Sequence, residues 1–251
     1  MSVSVTSNLN PSQKAQIQSI IEASKEKEPV TASFPYDDAD FYALFEVDGV
    51  IRSAAAFLAE DEETYECSAF TDPAYRCQGM FSELLDAAIE ELPEDTAFVF
   101  YTNGASGDCM AAIEALEAEK ILEEHMMELS LDAFLLGSER LLSMLSDSQI
   151  LPISMEEREP DGTKTYHYKH PHGTVNISVF SSYYYLYGLE IEEAFRGQGY
   201  GNAFLLAVLG DLAHRNPLPL RLQVSGENIP ALSLYKKTGF QITETLFGYL
   251  Y

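Results

Sequence analysis

The clearest pattern of apolar and polar positions along the chain is a strand, a glycine-rich loop and a helix in its last third. Residues Tyr183–Ile191 form an apolar run that predicts a strand. Glycines follow at positions 197, 199 and 201, and Asn202–His214 then predicts a helix that Asn216-Pro217 ends. Five apolar side chains share one face of this helix: Phe204, Leu205, Val208, Leu209 and Leu212.

The segments on either side of this pattern complete an α/β arrangement. Leu220–Val224 predicts a short strand, and a helix is expected from about Pro230 to Lys237 because proline is favoured in a first turn. The β-forming residues of Gln241–Tyr251 predict a closing strand. Before the loop, Tyr166–Phe180 predicts a hairpin that turns at His172-Gly173.

A similar progression of elements occurs in the first half of the chain. Phe41–Val47 and Val50–Leu58 predict two strands joined by a turn, and Tyr65–Phe70 predicts a third. The segment Asp72–Phe81 then leads into a helix that ends near Glu91.

Two of these segments, residues 72–79 and residues 192–199, also match each other in sequence. Ala, Arg, Gln and Gly occupy the same places in both, an aromatic residue precedes each Arg, and the offset between positions 76 and 196 is 120 residues. A repeat of this length predicts two tandem copies of one α/β fold. We interpret the acidic run Ala115–Glu124 as a solvated helix face and place the boundary after Leu131, which gives domains 1–131 and 132–251.

Composition and charge narrow the class of protein. A chain of 251 residues that is 46% hydrophobic and 22% charged can bury a sizeable core. Fifteen Lys and Arg stand against forty Asp and Glu, a formal net charge of -25. Such a charge repels nucleic acid and anionic membranes and favours a cationic substrate, or it serves solubility alone.

The location expected from the sequence is the cytoplasm. The first residues lack the basic and apolar regions of a signal peptide, and no apolar run is long enough to span a membrane. Cys67, Cys77 and Cys109 are an odd number at spacings that match no metal or redox motif, so we expect ordinary, mostly buried thiols.

The glycine loop has the chemistry of an anion site. Glycines let the backbone turn tightly and approach a ligand, and successive N–H groups at a helix N-terminus bind anions, which suits a pyrophosphate. A dinucleotide fingerprint would need glycine in place of Asn202, and a P-loop would need Lys followed by Ser or Thr. A glycine-rich turn without a ligand is the alternative.

Residues 189–240 resemble the GNAT superfamily of N-acetyltransferases. The acetyl-CoA loop of that family has Arg or Gln, two residues, Gly, one residue, and Gly or Ala, and Arg196, Gly199 and Gly201 match it. Downstream residues match the family at its characteristic spacings: Val224, Asn228, Ala231, Tyr235 and Gly239-Phe240. The resemblance implies direct transfer of an acetyl group from acetyl-CoA, as co-substrate, to a primary amine. It also implies two GNAT-like domains, each a mixed, mostly antiparallel twisted sheet flanked by helices.

The resemblance also assigns expected roles to single residues. Backbone groups of Leu189 and Ile191 would bond the pantetheine arm, and the Ile191 N–H would polarise the thioester carbonyl. Asn228 would hydrogen-bond the arm, and Tyr235, if it is not simply a core tyrosine, would donate a proton to the departing thiolate. The pyrophosphate would be held by the loop residues Arg196, Gly197, Gln198, Gly199, Tyr200 and Gly201.

The base that accepts a proton from the amine is expected to be a carboxylate, often acting through water. Glu190 and Glu192 lie on the strand beside the thioester, and we expect Glu190 to have this role. Alternate strand residues face opposite sides, and a strand bulge would change which face each takes. Both could also be solvated acids of an acidic protein.

The first copy departs from the family pattern, and a second function class stays open. Phe81 stands where the second loop glycine would be, and no Tyr or Gly-Phe follows Asn103 at the right distance. We therefore expect this copy not to bind the cofactor productively. His167, His170 and His172 straddle a turn without acidic or Cys partners, so no metal site is expected. The rival hypothesis is a catalytically silent module that binds acyl-CoA or a protein partner.

Overall fold

The computed structural model describes residues 1–29, 33–142 and 152–251. They form two compact units, one of Met1–Glu123 with Leu246–Tyr251 and one of Glu124–Thr245. The units therefore divide eight residues before the predicted boundary at Leu131, and the last strand is shared between them. Unit boundaries follow strand pairing between distant segments, which local composition does not report.

Unit 1 is a mixed sheet with helices on both faces. Its strands lie in the order β1-β2-β3-β4-β5, and residues 247–250 pair antiparallel with β5. Only β4 and β5 are parallel to each other. In chain order the elements are β1 Ser2–Thr6, α1 Pro11–Lys27, β2 Phe41–Val47, β3 Val50–Ala59, β4 Thr64–Thr71, α2 Met80–Glu91, β5 Ala97–Thr102 and α3 Gly107–Ala115.

Each face of this sheet has its own core. Helix α1 buries Ile17, Ile20 and Ile21 against one face, while α2 and α3 bury Leu84 and Ile113 against the other. Because strand residues alternate between faces, the run of buried residues in β2 and β3 supplies both cores. Unit 1 is thus a sheet covered on both faces, and the predicted strands Phe41–Val47 and Val50–Leu58 are found as β2 and β3.

Unit 2 repeats the same plan. From β6 its strands lie in the order β6-β11-β10-β9-β8-β7, in which only β10 and β11 are parallel. The elements are β6 Glu119–Leu129, α4 Leu131–Leu142, β7 Ser154–Arg158, β8 Thr165–His170, β9 Gly173–Val179, β10 Tyr184–Ile191, α5 Tyr200–Arg215, β11 Leu220–Ser225, α6 Ile229–Thr238 and β12 Gln241–Leu250. The predicted fold class is confirmed: two α/β copies with mixed, mostly antiparallel sheets.

The acidic run before the boundary was wrongly predicted as a helix. Helix α3 ends at Ala115, and β6 begins at Glu119. His125, Met127 and Leu129 are buried while the residues between them are partly exposed, which is the period of a strand. Pairing with β11 outweighs the helix preference of Glu and Ala, because tertiary contacts override a weak local propensity.

Helix α5 is fixed against the unit 2 sheet by a buried tyrosine. Tyr168 of β8 is fully buried, and its hydroxyl donates to Asp211 Oδ2 at 2.5 Å. Arg215 Nε donates to the same oxygen at 2.6 Å. Burial, and then the hydrogen bond to Asp211, raise the pKa of Tyr168, so the phenol stays protonated. This bond sets the position of the helix whose N-terminus follows the glycine loop.

Several features are absent from the residues that the structure describes. None of their helices is long and apolar enough to cross a bilayer. No group of three or more His, Cys, Asp or Glu side chains among them is arranged to hold a metal ion. All three cysteines are free; Cys67 is buried and Cys109 partly buried, but Cys77 is exposed, so the expectation of a buried thiol is wrong for Cys77.

Candidate active site

Strands β10 and β11 separate in the middle of the unit 2 sheet. They pair in parallel only from Tyr184–Leu186 to Leu220–Leu222, although β10 continues to Ile191 and β11 to Ser225. The register of β10 with β9 shifts between Tyr187 and Glu190, where Gly188 has φ +60°. The shift marks a bulge, and bulges bend a strand away from its neighbour. The end of β10 therefore has an edge without a strand partner.

The contacts of β10 with β9 show which of its backbone groups face the open edge. The Glu192 N–H donates to the His172 carbonyl at 2.9 Å, and the Glu190 carbonyl points at Gly173 of β9. Backbone groups of successive strand residues point to opposite edges. Those of Leu189 and Ile191 therefore face the gap between β10 and β11.

Gly173 permits this close pairing, and its replacement is a test of it. A Cβ built on Gly173 would lie 2.2 Å from the Glu190 carbonyl oxygen. Gly173→Ala should therefore push β10 away from β9 and reduce the free energy of unfolding by about 2 kcal/mol, which lowers Tm by roughly 4–8 °C.

Thermal unfolding checks this, with Gly210→Ala as the matched control. Gly210 lies in α5 with no atom within 4 Å of a built Cβ. Alanine there should raise stability by about 0.5–1 kcal/mol through helix propensity. An unchanged Tm in Gly173→Ala would mean that β9 and β10 are less tightly paired than the structure has them.

The loop after β10 presents a helix N-terminus without a side-chain cap. Gly199 is the N-cap residue of α5, with φ 88° and ψ -7°, and no side chain bonds the first N–H groups. Gly197 also has a positive φ of 72°. L-residues rarely adopt these angles, so the loop conformation depends on glycine. The uncapped N–H groups and the helix dipole together favour an anion.

Two glycines of the loop differ in what surrounds them. A Cβ on Gly197 would meet no atom within 4 Å, so this position opens onto free space. A Cβ on Gly201 would lie 3.5 Å from Ile191 and 3.8 Å from Leu234. Gly201 thus allows close packing of α5, while Gly197 leaves room for a ligand.

Arg196 lies beside this space. Its Nε donates to the Ile191 carbonyl at 2.8 Å, which ties the loop to the end of β10. The side chain is exposed, and it forms no ion pair with the described residues. The Nη groups are therefore available to an anion. Gln198 instead donates to the Ala194 carbonyl at 2.8 Å and so stabilises the turn before the helix.

Helix α6 carries the two other polar residues of the predicted site. Asn228 is its N-cap, and Asn228 Oδ1 accepts from the Ala231 N–H at 3.2 Å. This bond uses the amide oxygen and leaves the amide nitrogen as a donor. Asn228 is exposed, so a ligand can reach that donor.

Tyr235 is the buried phenol of α6. It is 7% exposed, and its ring packs on Phe240 with centroids 5.5 Å apart. Burial raises its pKa to about 12. None of the described residues hydrogen-bonds its hydroxyl. The phenol therefore keeps its proton well above neutral pH and can donate it.

Glu190 lies at the bulge, and its side chain is exposed. Its backbone carbonyl is turned toward β9, whereas the groups of Ile191 face the gap. The carboxylate is consequently accessible to water at the end of β10. Glu192, just past the strand, is also exposed.

Aromatic contacts that pack against the loop have no motif in the sequence and were not predicted. The His172 ring stacks on Phe195 with centroids 3.6 Å apart and lies edge-on to Tyr200 at 4.7 Å. The backbone N–H of His172 donates to Nδ1 of buried His170 at 3.1 Å. Burial, and then His172, lower the pKa of His170. His167 instead contacts Asn176 Oδ1 at 2.8 Å, so the three histidines do not converge.

The repeat in sequence is also a repeat in structure. In each copy a 3₁₀ turn, Pro73–Tyr75 or Glu193–Phe195, follows the strand that precedes the loop. A left-handed N-cap glycine follows, Gly79 with φ 79° in unit 1 and Gly199 with φ 88° in unit 2. The eight matched residues thus adopt one local conformation twice.

Comparison with solved structures shows the same fold at low sequence identity. A GCN5-related N-acetyltransferase from Sphaerobacter thermophilus has a TM-score of 0.54 and 14% identity, over 99% of this chain and 95% of that chain. A tandem GNAT protein from the clavulanic acid biosynthesis pathway has a TM-score of 0.53 and 14% identity, over 100% and 98%. A glucosamine N-acetyltransferase region of a fungal multi-domain GH3 beta-N-acetylglucosaminidase has a TM-score of 0.57 and 11% identity, over 99% and 38%.

Comparison at the sequence level gives the family. No curated protein matches the chain. The model of the acetyltransferase (GNAT) family matches it twice, over residues 13–110 and 139–240, one match in each copy of the repeat. Proteins of this family bind acyl-CoA and transfer acyl groups, which agrees with the open strand edge and the uncapped helix described above. The chain therefore belongs to the acetyltransferase (GNAT) family.

Proposed function

We propose that unit 2 binds acetyl-CoA and transfers its acetyl group directly to a primary amine, and that this acceptor is a small cationic amine. One observation carries the proposal. The unpaired edge of β10 at Leu189 and Ile191 leads into a loop in which Gly197 opens onto free space, and the helix that follows has an uncapped N-terminus. Strand edge, anion site and buried phenol thus occur together in one unit.

Cofactor binding uses the two ends of this arrangement. The pantetheine arm adds to the free edge of β10 like a short strand and bonds the backbone of Leu189 and Ile191. The pyrophosphate lies over the loop, where the N–H groups from Gly197 to Gly201 and the Arg196 guanidinium donate to its oxygens. The side-chain N–H of Asn228 donates to a carbonyl of the arm, while its side-chain oxygen still accepts from the Ala231 N–H at the start of α6.

The chemical step uses the groups nearest the thioester. The amine nitrogen attacks the carbonyl carbon, and the Ile191 N–H stabilises the negative charge that forms on the oxygen. The carbon–sulfur bond then breaks, and Tyr235 gives its proton to the departing thiolate. Glu190 accepts the proton that the amine loses, through a water molecule, and solvent returns a proton to Tyr235. The products are an N-acetylated amine and CoA with a free thiol.

Release of that thiol is the direct test of the activity. The purified chain is incubated with acetyl-CoA and a panel of polyamines, aminoglycosides, glucosamine and neutral-backbone amino acids, and CoA thiol is measured against an amine-free control. Amine-dependent release, with the acetylated product identified by mass spectrometry, supports the proposal. Acetyl-CoA binding without release for any amine would favour the silent acyl-CoA-binding module.

The choice of a cationic acceptor gives a salt-dependent prediction. A net charge of -25 attracts cations over a distance that salt shortens, from a Debye length of about 10 Å at 0.1 M to 3 Å at 1 M. We expect kcat/KM to be higher for polyamines or aminoglycosides than for neutral-backbone amino acids, and to fall as salt rises. Steady-state rates at several salt concentrations check this. A kcat/KM for cations that is no better, or that does not change with salt, would leave the acidity as a surface property alone.

A further inference from the structure

The arginine of the repeat has the same backbone contact in both units. Arg76 Nε donates to the Thr71 carbonyl at 3.3 Å, and Arg196 Nε donates to the Ile191 carbonyl at 2.8 Å. In each case the acceptor lies five residues before the arginine, at the end of the strand. The two guanidinium groups are therefore held at equivalent places, beside the strand end and the N-terminus of the following helix.

The surroundings of the two guanidinium groups are opposite. Arg196 is exposed, whereas the Arg76 side chain is only 16% exposed. Arg76 Nη1 donates to the carboxylates of Glu28 and Asp108, and Nη2 donates to Ser24 Oγ at 3.0 Å. Burial alone would lower the pKa of Arg76, but the hydrogen bonds to Asp108 and Glu28 outweigh it and raise the pKa.

Glu28 connects Arg76 to the N-terminus of α3. One of its carboxylate oxygens accepts from Arg76, and the other accepts from the Ser106 hydroxyl. Ser106 is the N-cap of α3, the helix that follows β5, just as Asn228 is the N-cap of α6 after β11. The Glu28 carboxylate, 14% exposed, thus bridges the loop arginine and the N-terminus of α3.

Strand geometry is a second, independent difference between the two units. Strands β4 and β5 pair only over Thr64–Glu66, so they separate as β10 and β11 do. The register of β4 with β3 is nevertheless continuous from Tyr65 to Thr71, without the bulge seen in β10. Unit 1 has the gap, but lacks the bend that turns backbone groups of β10 toward a ligand.

We propose that unit 1 retains the arginine of the anion site, and that its own Glu28 and Asp108 carboxylates pair with this guanidinium in place of a pyrophosphate. One arginine and two carboxylates make the site net negative, so it repels a phosphate-bearing ligand, whereas Arg196 in unit 2 offers an uncompensated positive charge. Unit 1 consequently binds no acyl-CoA, and the chain binds one molecule. This inference rests on the proposed function in assigning the anion site of unit 2.

The test removes the internal anions and asks whether an external anion replaces them. All titrations are made in a Gly199→Val background, so that the unit 2 loop does not contribute, and inorganic pyrophosphate is the ligand in calorimetry. The parent should show no binding. Glu28→Gln with Asp108→Asn leaves Arg76 buried without a carboxylate partner, so pyrophosphate binding should become measurable, at least tenfold tighter than the weakest affinity that the calorimetry detects, and adding Arg76→Gln should abolish it.

Asp37→Asn is the matched control, because Asp37 forms an exposed ion pair with Lys14 in the same unit and should leave pyrophosphate affinity unchanged. If the double variant does not fold, Glu28→Gln alone is compared with the parent by thermal unfolding, and pyrophosphate should raise its Tm more. An equal response of variant and parent, or one pyrophosphate bound by the parent at unit 1, would overturn the proposal.

The unmodified chain separates this proposal from the proposed function. Acetyl-CoA should bind it with a stoichiometry near one. A value near two would contradict the occupied site in unit 1, and no binding at all would contradict the function of unit 2 while the pyrophosphate test in unit 1 keeps its meaning.

Discussion

Replacing Tyr235 with phenylalanine is expected to lower kcat about a hundredfold or more while leaving acetyl-CoA affinity within a few-fold. Phenylalanine keeps the ring that packs on Phe240 and removes only the hydroxyl that donates to the thiolate. The lost interaction is made mainly in the transition state, so kcat falls and binding is kept. Steady-state kinetics with the best acceptor, together with calorimetric titration of acetyl-CoA, measure the two quantities.

The pH profile adds a second readout for Tyr235. A phenol with the ordinary pKa of 10.0 would lose its proton as pH approaches that value, but burial raises the pKa of Tyr235 to about 12. The wild-type rate should therefore show no loss from this group up to pH 10. Tyr249→Phe, the same change in unit 1, is the control and should leave kcat unchanged. Full activity in Tyr235→Phe would mean that solvent or another residue protonates the sulfur.

Replacing Gly199 with valine is expected to weaken acetyl-CoA binding by more than about tenfold, or roughly 1.4 kcal/mol. The valine side chain would stand at the uncapped N-terminus of α5, and the φ of 88° at this position is unfavourable for a β-branched residue. Both effects act where the pyrophosphate is proposed to lie. Calorimetric titration with acetyl-CoA measures the affinity, and circular dichroism checks that the variant is folded.

Gly162→Val separates the two effects at Gly199. Gly162 has a similar φ of 76°, and a built Cβ there would meet no atom within 4 Å, but it lies in a turn before β8. Its replacement introduces the same kind of backbone strain without entering the loop, so acetyl-CoA affinity should stay near that of the wild type. Equal losses in both variants would assign the effect to strain, and an unchanged affinity in Gly199→Val would move the cofactor site elsewhere.

The part of the site that the sequence predicted well is local in sequence. The strand Tyr183–Ile191 and the helix Asn202–His214 were found as β10 and α5 within two residues at each end. Apolar period and glycine placement decide these elements, because neighbouring residues alone set the strand, the turn and the helix start. The same local rules made the repeat visible, since its eight residues fold in one way twice.

The parts that the sequence did not predict depend on residues far apart in the chain. Glu28 lies 48 residues from Arg76 and 78 from Ser106, and no motif links them. The stacking of His172 on Phe195 depends on the register of β9 with β10. An Asp or Glu in a loop has the same pattern in sequence whether it is solvated or buried against an arginine. Only the folded arrangement distinguishes the two.

The last strand has a consequence for how the chain reaches its native state. Its final residues pair with β5, as in Leu250↔Val99, across about 150 positions of sequence, so unit 1 completes its sheet only when the whole of unit 2 has been synthesised. Such long-range pairing is slow to form, and until it forms β5 exposes an edge that can pair with other chains. The first copy is synthesised first, but its sheet can be completed only after the second copy has been synthesised. The order of folding therefore does not follow the order of synthesis.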